Sequence, residues 1–211
     1  MPGLAPVPAH RSGAPSAWLQ RWAHWLPAGS TVLDVACGSG RHLRFGAAQG
    51  WQMTGIDRDA TALAASADLV ASGQVGLLNA DIEAGPWPWA DRNFNAVLVF
   101  NYLWRPLWPQ LLAALAPGGV LIYETFANGN QTVGKPSRPD FLLQNGELLA
   151  RCASLRTVAY EDGYLDSPPR FVQRVVAVRP APADGPPPRH ALAAPGHDAG
   201  RGAGSDAPAD G

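Results

Sequence analysis

The sequence predicts an α/β fold, with a mostly parallel seven-stranded sheet, helices on both of its faces and an antiparallel C-terminal hairpin. Short, continuously apolar runs alternate with longer helical stretches along most of the chain, and such runs are typical of parallel strands that are buried on both faces. Near the end of the chain, two strand-like runs follow one another without a helix between them. Strands connected in this way pair antiparallel, so the hairpin is expected at one edge of the sheet.

The first half of the chain supplies three of the strands and three helices. The predicted strands are Thr31–Val35, Trp51–Ile56 and Val75–Leu78, and the predicted helices are Ala17–Trp25, Arg41–Ala48 and Ala60–Leu69. Ser16 is a suitable N-cap for the first of these helices. Tryptophans at positions 18, 22 and 25 recur on it at helical spacing, so we expect its aromatic face to pack against the core.

The second half supplies the remaining four strands. The predicted strands are Ala96–Phe100, Val120–Tyr123, Thr157–Tyr160 and Phe171–Val178, and the predicted helices are Trp108–Leu115 and Glu147–Ser154. Pro117, Gly118 and Gly119 are predicted to form a turn before the fifth strand, and residues 161–170 to form a loop. With the last two strands antiparallel, this order completes the seven-stranded sheet.

Glycine and proline are concentrated at the two ends of the 211-residue chain. Residues 180–211 hold 7 Pro, 6 Gly and 9 Ala among 32 residues, a composition that cannot bury enough apolar area to offset the entropy of ordering the chain. We therefore expect a flexible leader at 1–16, one domain at 17–179 and a disordered tail at 180–211. A domain of 163 residues is long enough to enclose a substantial hydrophobic core.

Charge and composition argue against several classes of partner. The domain at 17–179 holds 13 basic and 13 acidic residues, so it lacks the positive charge that binding to nucleic acid or to an anionic membrane requires. Its longest apolar run, Ala96–Phe100, is too short to span a bilayer. The histidines and the two cysteines lack metal-ligand spacing. We expect a cytoplasmic protein without a metal ion, and the sequence leaves the oligomeric state open.

Chemistry-bearing residues follow four of the predicted parallel strands. They are the turn Asp34–Gly40, then Asp57, then Asp81 with Ile82, and lastly Asn101. The ligand of an open parallel sheet binds outside the carboxyl ends of the strands. Taken singly, each position has an ordinary explanation, such as a tight turn, an acid at a helix N-terminus or a solvated loop acid. Together, at successive strand ends, they predict a nucleoside-binding site.

The residue types at these positions suit a nucleoside with an anionic end. Gly38 and Gly40 let the backbone approach a ligand, and the helix after them offers free N–H groups. Asp57, which lies 19 residues beyond Gly38, can accept hydrogen bonds from both ribose hydroxyls. Asp81 can accept a hydrogen bond from the exocyclic amine of adenine, while Ile82 offers a backbone N–H to the ring.

The order of five sequence motifs resembles that of class I S-adenosylmethionine-dependent methyltransferases. The motifs are VLDVACGSGRH, GIDRD, LLNADIE, FNAVLVFNYL and LAPGGVLIYETF. The resemblance extends from Thr31 to Val178 and departs at Ala36, where many members have a glycine. It implies S-adenosylmethionine as the cofactor, bound by residues at the strand ends. These are Asp34, Ala36, Cys37, Gly38, Gly40, Asp57, Arg58, Asp81, Ile82 and Asn101.

The resemblance also implies which part of the cofactor each residue contacts. The glycine turn would lie against the methionine part, with Asp34 supporting that turn. Asp57 would hold the ribose, and Asp81 with Ile82 would hold the adenine. A backbone carbonyl near Asn101 would accept hydrogen bonds from the ammonium group.

Two other functions stay open at this point. A nicotinamide-dependent oxidoreductase has a similar glycine turn, but its fingerprint requires a small residue three positions after Gly40, and Leu43 stands there. A nucleoside-binding protein without catalytic activity would carry the same residues at its strand ends. The spacing therefore favours a methyltransferase over the oxidoreductase, without excluding the binding protein.

The methyl acceptor is expected beside the cofactor, after the fourth and fifth strands. The candidates for its pocket are Tyr102, Arg105, Tyr123 and Glu124. The catalytic residue is unknown, because a general base is needed only where the acceptor is protonated. Amino-methyltransferases of nucleic acids carry two prolines after the fourth strand, at the positions that correspond to the residues following Asn101. These prolines are absent here, which disfavours a nucleic-acid acceptor.

A later segment points to a small molecule as the acceptor. Residues Asp140–Leu149 are similar to the corresponding part of tellurite-resistance methyltransferases. This similarity supports a thiol, a chalcogen oxyanion or a metabolite hydroxyl as the acceptor, without choosing among them.

Overall fold

A computed structural model describes residues 13–182 and 188–194 and contains the seven-stranded sheet that the sequence predicts. The strands are β1 (Thr31–Val35), β2 (Gln52–Asp57), β3 (Val75–Asn79), β4 (Phe94–Phe100), β5 (Leu115–Phe126), β6 (Arg156–Asp166) and β7 (Pro169–Val178). Their order in the sheet is β3-β2-β1-β4-β5-β7-β6. The first five strands pair in parallel, and β7 pairs antiparallel with both β5 and β6. The predicted fold class is therefore confirmed.

Helices cover both faces of the sheet. They are α1 (Ala17–Trp22), α2 (Arg41–Ala48), α3 (Ala60–Ala64), α4 (Ala67–Ala71), α5 (Trp108–Ala113) and α6 (Glu147–Arg151). On one face, α1 and α2 bury Trp18 and Leu43 against the sheet. On the other face, α5 and α6 bury Trp108 and Leu148. Because both faces are covered, the central strands are apolar along almost their whole length.

The first helix packs its tryptophans into the core, as its spacing predicts. The Ser16 hydroxyl accepts a hydrogen bond from Trp18 N and so caps α1. Trp18 and Trp22 are both buried and meet edge to face, with ring centroids 5.7 Å apart. The helix ends at Trp22, and residues 23–25 continue as a 3₁₀ turn. Trp25 is only half-buried at the end of this turn.

The structure differs from the sequence-based expectations mainly at element ends. The segment Pro117–Gly119 lies inside β5 as an irregularity in its pairing with β4, not in a turn before the strand. The hairpin strands β6 and β7 extend through most of residues 161–170, which were expected to form a loop. β6 lies at the sheet edge and is exposed along much of its length. Its sequence is therefore largely polar and lacks the apolar run that identifies a buried strand.

The two ends of the domain are held by specific contacts. Ser16, expected to be part of a flexible leader, is buried, and its backbone N donates to the ring of His42. In the described part of the tail, Ala191 O accepts a hydrogen bond from Trp25 Nε1 at 2.7 Å, and the His190 ring stacks on the same indole. Residues 1–12, 183–187 and 195–211, which complete the expected leader and tail, lie outside the described residues.

None of the helices among residues 13–182 and 188–194 combines the length and apolar character that a bilayer span requires. The helices instead pack on the sheet.

Replacement of Gly119 by alanine should destabilise the fold, because a Cβ at this position would lie 2.8 Å from Ala116 O and 2.9 Å from Phe94 O. Both neighbours are backbone atoms that cannot rotate away. We expect Gly119→Ala to lower the free energy of unfolding by about 1–3 kcal/mol, measured by urea denaturation. Gly76→Ala in β3 is the matched control, since a Cβ there meets no atom within 4 Å. Equal stability of the two variants would contradict this packing.

Candidate cofactor-binding site

The carboxyl ends of β1 and β4 are adjacent, and the backbone is strained immediately after each of them. Ala36 and Asn101 follow these strands with φ values of 55° and 57°, and they are the non-glycine residues with positive φ among the described part of the chain. Such conformations persist where the surrounding structure enforces them, and they cluster at functional sites. The strand order also reverses between β1 and β4, which is where open α/β sheets bind their ligands.

The turn after β1 exposes one of its glycines and packs the other. Gly38 has a φ of 54°, and no atom lies within 4 Å of the position that a Cβ would occupy. Its backbone therefore faces open space that a ligand can approach. Gly40 has a φ of 78°, and a Cβ there would lie 2.0 Å from the hydroxyl of Ser66. Gly40 thus lets the turn pack against the start of α4.

Asp57, at the end of β2, is bonded to this same turn. Its Oδ2 accepts a hydrogen bond from Gly38 N at 2.8 Å, and its Oδ1 accepts one from Asp59 N at 2.9 Å. A carboxylate oxygen can accept two hydrogen bonds, so each oxygen keeps a free acceptor position for a ribose hydroxyl. The bond to Gly38 is a second role that the sequence does not reveal.

The turn after β3 places several polar side chains around Asp81. This residue is exposed, and its Oδ1 accepts a hydrogen bond from Glu83 N at 2.9 Å. Ile82 and Tyr102 are half-buried and pack against the same hydrophobic cluster. Burial and the nearby Glu83 carboxylate raise the pKa of the Tyr102 hydroxyl above its usual range. Arg58 is exposed and lies 3.7 Å from Glu83 Oε2.

Asp34 lies buried beneath the glycine turn, with only 1% of its surface exposed. Its Oδ2 has no hydrogen-bond partner among the described residues. Burial raises the pKa of Asp34 to about 8, against a smaller opposing effect of Arg41. The carboxyl is therefore mostly protonated at neutral pH.

His42, in the first turn of α2, is neutral at physiological pH. Burial, together with the charge of Arg41, lowers the pKa of its ring to about 3. Nε2 accepts a hydrogen bond from Ser16 N at 3.2 Å, which places the ring proton on Nδ1, 4.0 Å from Asp34 Oδ2. The ring also packs on Phe100, with the centroids 4.1 Å apart.

Glu124, in β5, is buried and shared by three donors. The Ser16 hydroxyl donates to Oε1 at 3.3 Å, Arg170 Nη2 lies 3.5 Å from the same oxygen, and Arg174 Nη1 lies 3.4 Å from Oε2. Arg174 also pairs with Glu161 on the edge strand β6. The sequence does not indicate that Ser16, Arg170 and Arg174 meet at Glu124, because these residues come from elements far apart in the chain.

The four residues expected to surround one acceptor pocket do not lie together. Tyr123 and Glu124 are consecutive in β5, so their side chains lie on opposite faces of the sheet. Tyr123 is buried against Trp108, and its hydroxyl donates to Tyr102 O at 2.7 Å. The expectation of one space bounded by all four residues is therefore wrong.

Arg105 lies on the Tyr123 face with most of its donors in use. Its Nε and Nη2 bond to the Glu147 carboxylate at 2.7 and 2.8 Å, and its Nη1 and Nη2 donate to the carbonyls of Asp140 and Leu142. It therefore joins α6 and the preceding loop to the segment after β4. Contacts of Tyr102 and Glu124 with an acceptor stay predictions.

The chain is similar to methyltransferases in both sequence and fold. The model of a methyltransferase domain family matches residues 32–119, which hold the glycine turn, Asp57, Asp81 and Asn101. The fold is also that of class I S-adenosylmethionine-dependent methyltransferases. This match supports S-adenosylmethionine as the cofactor and gives no support to the nicotinamide alternative. A search of curated protein sequences finds no match.

Several solved structures share the fold of this chain at low sequence identity. TehB from Haemophilus influenzae has a TM-score of 0.59 and 18% identity over 72% of this chain and 58% of that chain. Phosphoethanolamine N-methyltransferase 2 from Haemonchus contortus, in complex with S-adenosyl-L-methionine, has a TM-score of 0.63 and 16% identity over 79% and 54% of the two chains. The [4+2]-cyclase SpnF has a TM-score of 0.60 and 18% identity over 78% and 79%. Because these activities differ, the fold alone does not define the acceptor.

Substitution of Asp34 by asparagine should make stability less dependent on pH. Between pH 3.8, the ordinary pKa, and about 8, the folded state keeps a proton that the unfolded state has lost, so the free energy of unfolding falls as pH rises. We expect Asp34→Asn to gain on the order of 2 kcal/mol relative to the native chain between pH 5 and pH 8, measured by urea denaturation without ligand.

Asp68→Asn is the control for this measurement. Asp68 is exposed, and its hydrogen bond with Arg44 lowers its pKa, so its titration lies below pH 5. The stability difference between Asp68→Asn and the native chain should stay constant from pH 5 to pH 8. A constant difference for Asp34→Asn as well would show that the Asp34 carboxyl is ionised in the folded protein.

Proposed function

We propose that this methyltransferase transfers the methyl group of S-adenosylmethionine to a small-molecule acceptor. The observation that carries the proposal is the meeting of the glycine turn with Asp57 and Asn101 at the reversal point of the sheet. This arrangement combines an open backbone surface, a carboxylate with free acceptor positions and a strained strand end at one location. A cytoplasmic location and the absence of nucleic-acid partners stay predictions from the sequence.

The residues present fit the cofactor. The open face of Gly38 and the free acceptor positions of Asp57 suit the methionine part and the ribose, respectively. Asp81 is exposed beside the half-buried Ile82, as a site for the amine and ring of adenine requires. The backbone at Asn101, on the other side of β1, is placed for the ammonium group. Further contributions of Ala36, Cys37, Gly40, Asp34 and Arg58 are proposed from the family resemblance.

When bound, S-adenosylmethionine supplies a methyl group activated by the positive charge on its sulfur. The chain holds the acceptor in line with the breaking bond and keeps water out. A lone pair of the acceptor would form the new bond to carbon, and the electron pair of the broken bond would stay on sulfur, so that S-adenosylhomocysteine would be released. If the acceptor carries a proton, that proton passes to solvent.

The buried polar residues beside this site are poorly suited to act as a general base. The Nε2 of His42 is occupied by Ser16 N, and its low pKa makes it a weak base. Both carboxylate oxygens of Glu124 are already in contact with donors, namely a hydroxyl and two guanidinium groups. We therefore propose an acceptor that is already a nucleophile near neutral pH, such as a thiolate or an oxyanion.

A small acceptor fits the architecture of the described residues. The helices from α1 to α6 pack on the sheet, and none forms a separate lobe that could recognise a macromolecule. The domain is also electrically neutral, with 13 basic and 13 acidic residues at 17–179. Support comes in addition from the similarity in fold to phosphoethanolamine N-methyltransferase 2, whose name specifies a small acceptor.

Binding of S-adenosylhomocysteine should stabilise the protein, whereas NADH should not. At a concentration of about 100 times its dissociation constant, the ligand is expected to raise the free energy of unfolding by about 2.7 kcal/mol, measured as a thermal shift. Asp57→Ala should lose this response because it removes the ribose acceptor. Asp68→Ala, which changes an exposed acid paired with Arg44, should keep it. Stabilisation by NADH alone would contradict the proposal.

Removal of residues 181–211 should leave the affinity for S-adenosylhomocysteine unchanged. The described tail residues contact Trp25 and His24, which precede the amino end of β1, whereas the proposed site lies at the carboxyl end. Loss of these contacts should lower the stability of the ligand-free and the ligand-bound protein equally, so it does not change the affinity. Isothermal titration of the truncated and full-length chains tests this prediction, and a more than tenfold loss of affinity on truncation would show that the tail contributes to the site.

A further inference from the structure

A ladder of charged side chains crosses strands β5, β7 and β6, on the side of the sheet where the acceptor is expected. Arg174 in β7 lies opposite Glu124 in β5 and opposite Glu161 in β6, and it bonds to both carboxylates. Its guanidinium also lies 4.7 Å from the centre of the Trp18 ring. Arg21 in α1 pairs with Glu161 from the solvent side. All three guanidinium nitrogens of Arg174 therefore take part in contacts that hold the fold together.

Arg170 lies nearer the end of the sheet than Arg174, and part of its guanidinium has no hydrogen-bond partner among the described residues. It lies four residues before Arg174 on the same face of β7. The pairing of β5 with β7 ends at Phe126 and Val172, so Arg170 lies just beyond the end of β5. Its one contact with a carboxylate is Nη2 to Glu124 at 3.5 Å, and its Nε is buried with no partner among the described residues. A buried N–H without an acceptor is costly, so a ligand that supplies an acceptor there is favoured.

Arg41, the first residue of α2, is a second available guanidinium. It is half-buried, and within the described residues it has neither a hydrogen bond nor an ion pair. It lies close enough to Asp34, Glu124 and Arg170 for their charges to affect its pKa, which burial lowers below the usual range. Arg41 and Arg170 thus both lie near the carboxylate of Glu124.

The charges at this end of the sheet do not balance. Four arginines, at positions 21, 41, 170 and 174, face the carboxylates of Glu124 and Glu161. Asp34 adds little negative charge at neutral pH, because burial raises its pKa to about 8. The ladder therefore has an excess of two positive charges. The bound cofactor adds one more, since it carries a sulfonium, an ammonium and one carboxylate.

We infer that Arg170, together with Arg41, binds a carboxylate or similar oxyanion group of the methyl acceptor. The inference rests on the proposed function and specifies its substrate class as small anionic nucleophiles. Arg170 lies outside the carboxyl end of β5, where the ligand of an open sheet is expected. A guanidinium can bind a carboxylate through two parallel hydrogen bonds, and the unpaired Nε is one of the donors such a fork uses. Glu124 acts as a positioning residue, because it holds Arg170 at the edge of the site.

Matched pairs of small nucleophiles test the inference on the full-length protein loaded with S-adenosylhomocysteine. The probes are mercaptoacetate against mercaptoacetamide, and 4-hydroxybenzoate against 4-hydroxybenzamide, which differ in one negative charge. The acid of at least one pair should bind about tenfold more tightly than its amide, as a charge-assisted hydrogen bond predicts. Isothermal titration measures the affinities, and the Nε–H resonance of Arg170 should shift with the acid and not with the amide.

Variants of Arg170 connect this preference to the side chain. Arg170→Gln should bring the ratio between acid and amide to about one, and Arg170→Lys should restore part of it, since lysine keeps the charge without the fork. Arg92→Gln is the control, because Arg92 packs on Phe94 at the opposite end of the sheet. This variant should leave the ratio unchanged.

The other outcomes would contradict either the anionic acceptor or the proposed methyltransferase activity, and these two cases can be distinguished. Equal binding of acids and amides would refute an anionic acceptor, while binding of S-adenosylhomocysteine would leave the methyltransferase proposal standing. If Arg170→Gln weakened binding of S-adenosylhomocysteine as much as that of the acids, the anion held by Arg170 would be the carboxylate of the cofactor. Failure of the native chain to bind S-adenosylhomocysteine, measured first, would refute both proposals.

Discussion

The parallel pairing of β1 with β2 on one side and with β4 on the other is the constraint on which the site depends. It brings three strand ends to one edge, where Asp57 accepts the N–H of Gly38 at 2.8 Å and so joins β2 to the turn after β1. Asn101 N, bonded to Glu124 O, joins β4 to β5 in the same way. With both connections in place, the surrounding backbone can hold Ala36 and Asn101 in conformations that a free chain would avoid.

The two halves of this edge differ in charge. The half formed by β2 and β3 carries acidic side chains, with Asp57 and Asp81 among them, and these suit the hydroxyl and amine donors of a nucleoside. The half formed by β5 and β7 carries the excess of arginine. The protonated Asp34 lies between these two halves of the edge. The change from acidic to basic side chains therefore occurs close to the expected position of the sulfonium of the cofactor. Such a gradient orients the two ligands without requiring a large recognition surface.

Position along the chain is sufficient to predict Asp57 and Asp81, because each follows an apolar strand and parallel strands end at a common edge. The contact of Ser16 with Glu124 spans 108 residues of sequence, and no local pattern reveals it. The same is true of Arg170, because β7 begins with Pro169 and Arg170, which lie outside its apolar run, and because the edge strand β6 is mostly exposed. The wrong prediction for Tyr123 has a different cause. Side chains alternate between the two faces along a strand, so the sequence alone is sufficient to place Tyr123 and Glu124 on opposite faces.

The docking of α1 has a consequence for the order in which the protein matures during synthesis. Trp18 donates to Val175 O across 157 residues, and Ser16 bonds to Glu124 across 108. Because α1 precedes β7 in the chain, it leaves the ribosome before β7 is translated, and Trp18 must wait for that strand. Until then, an apolar helix face remains available to chaperones or to other nascent chains. Completion of β7 both closes the sheet and ends that period of exposure.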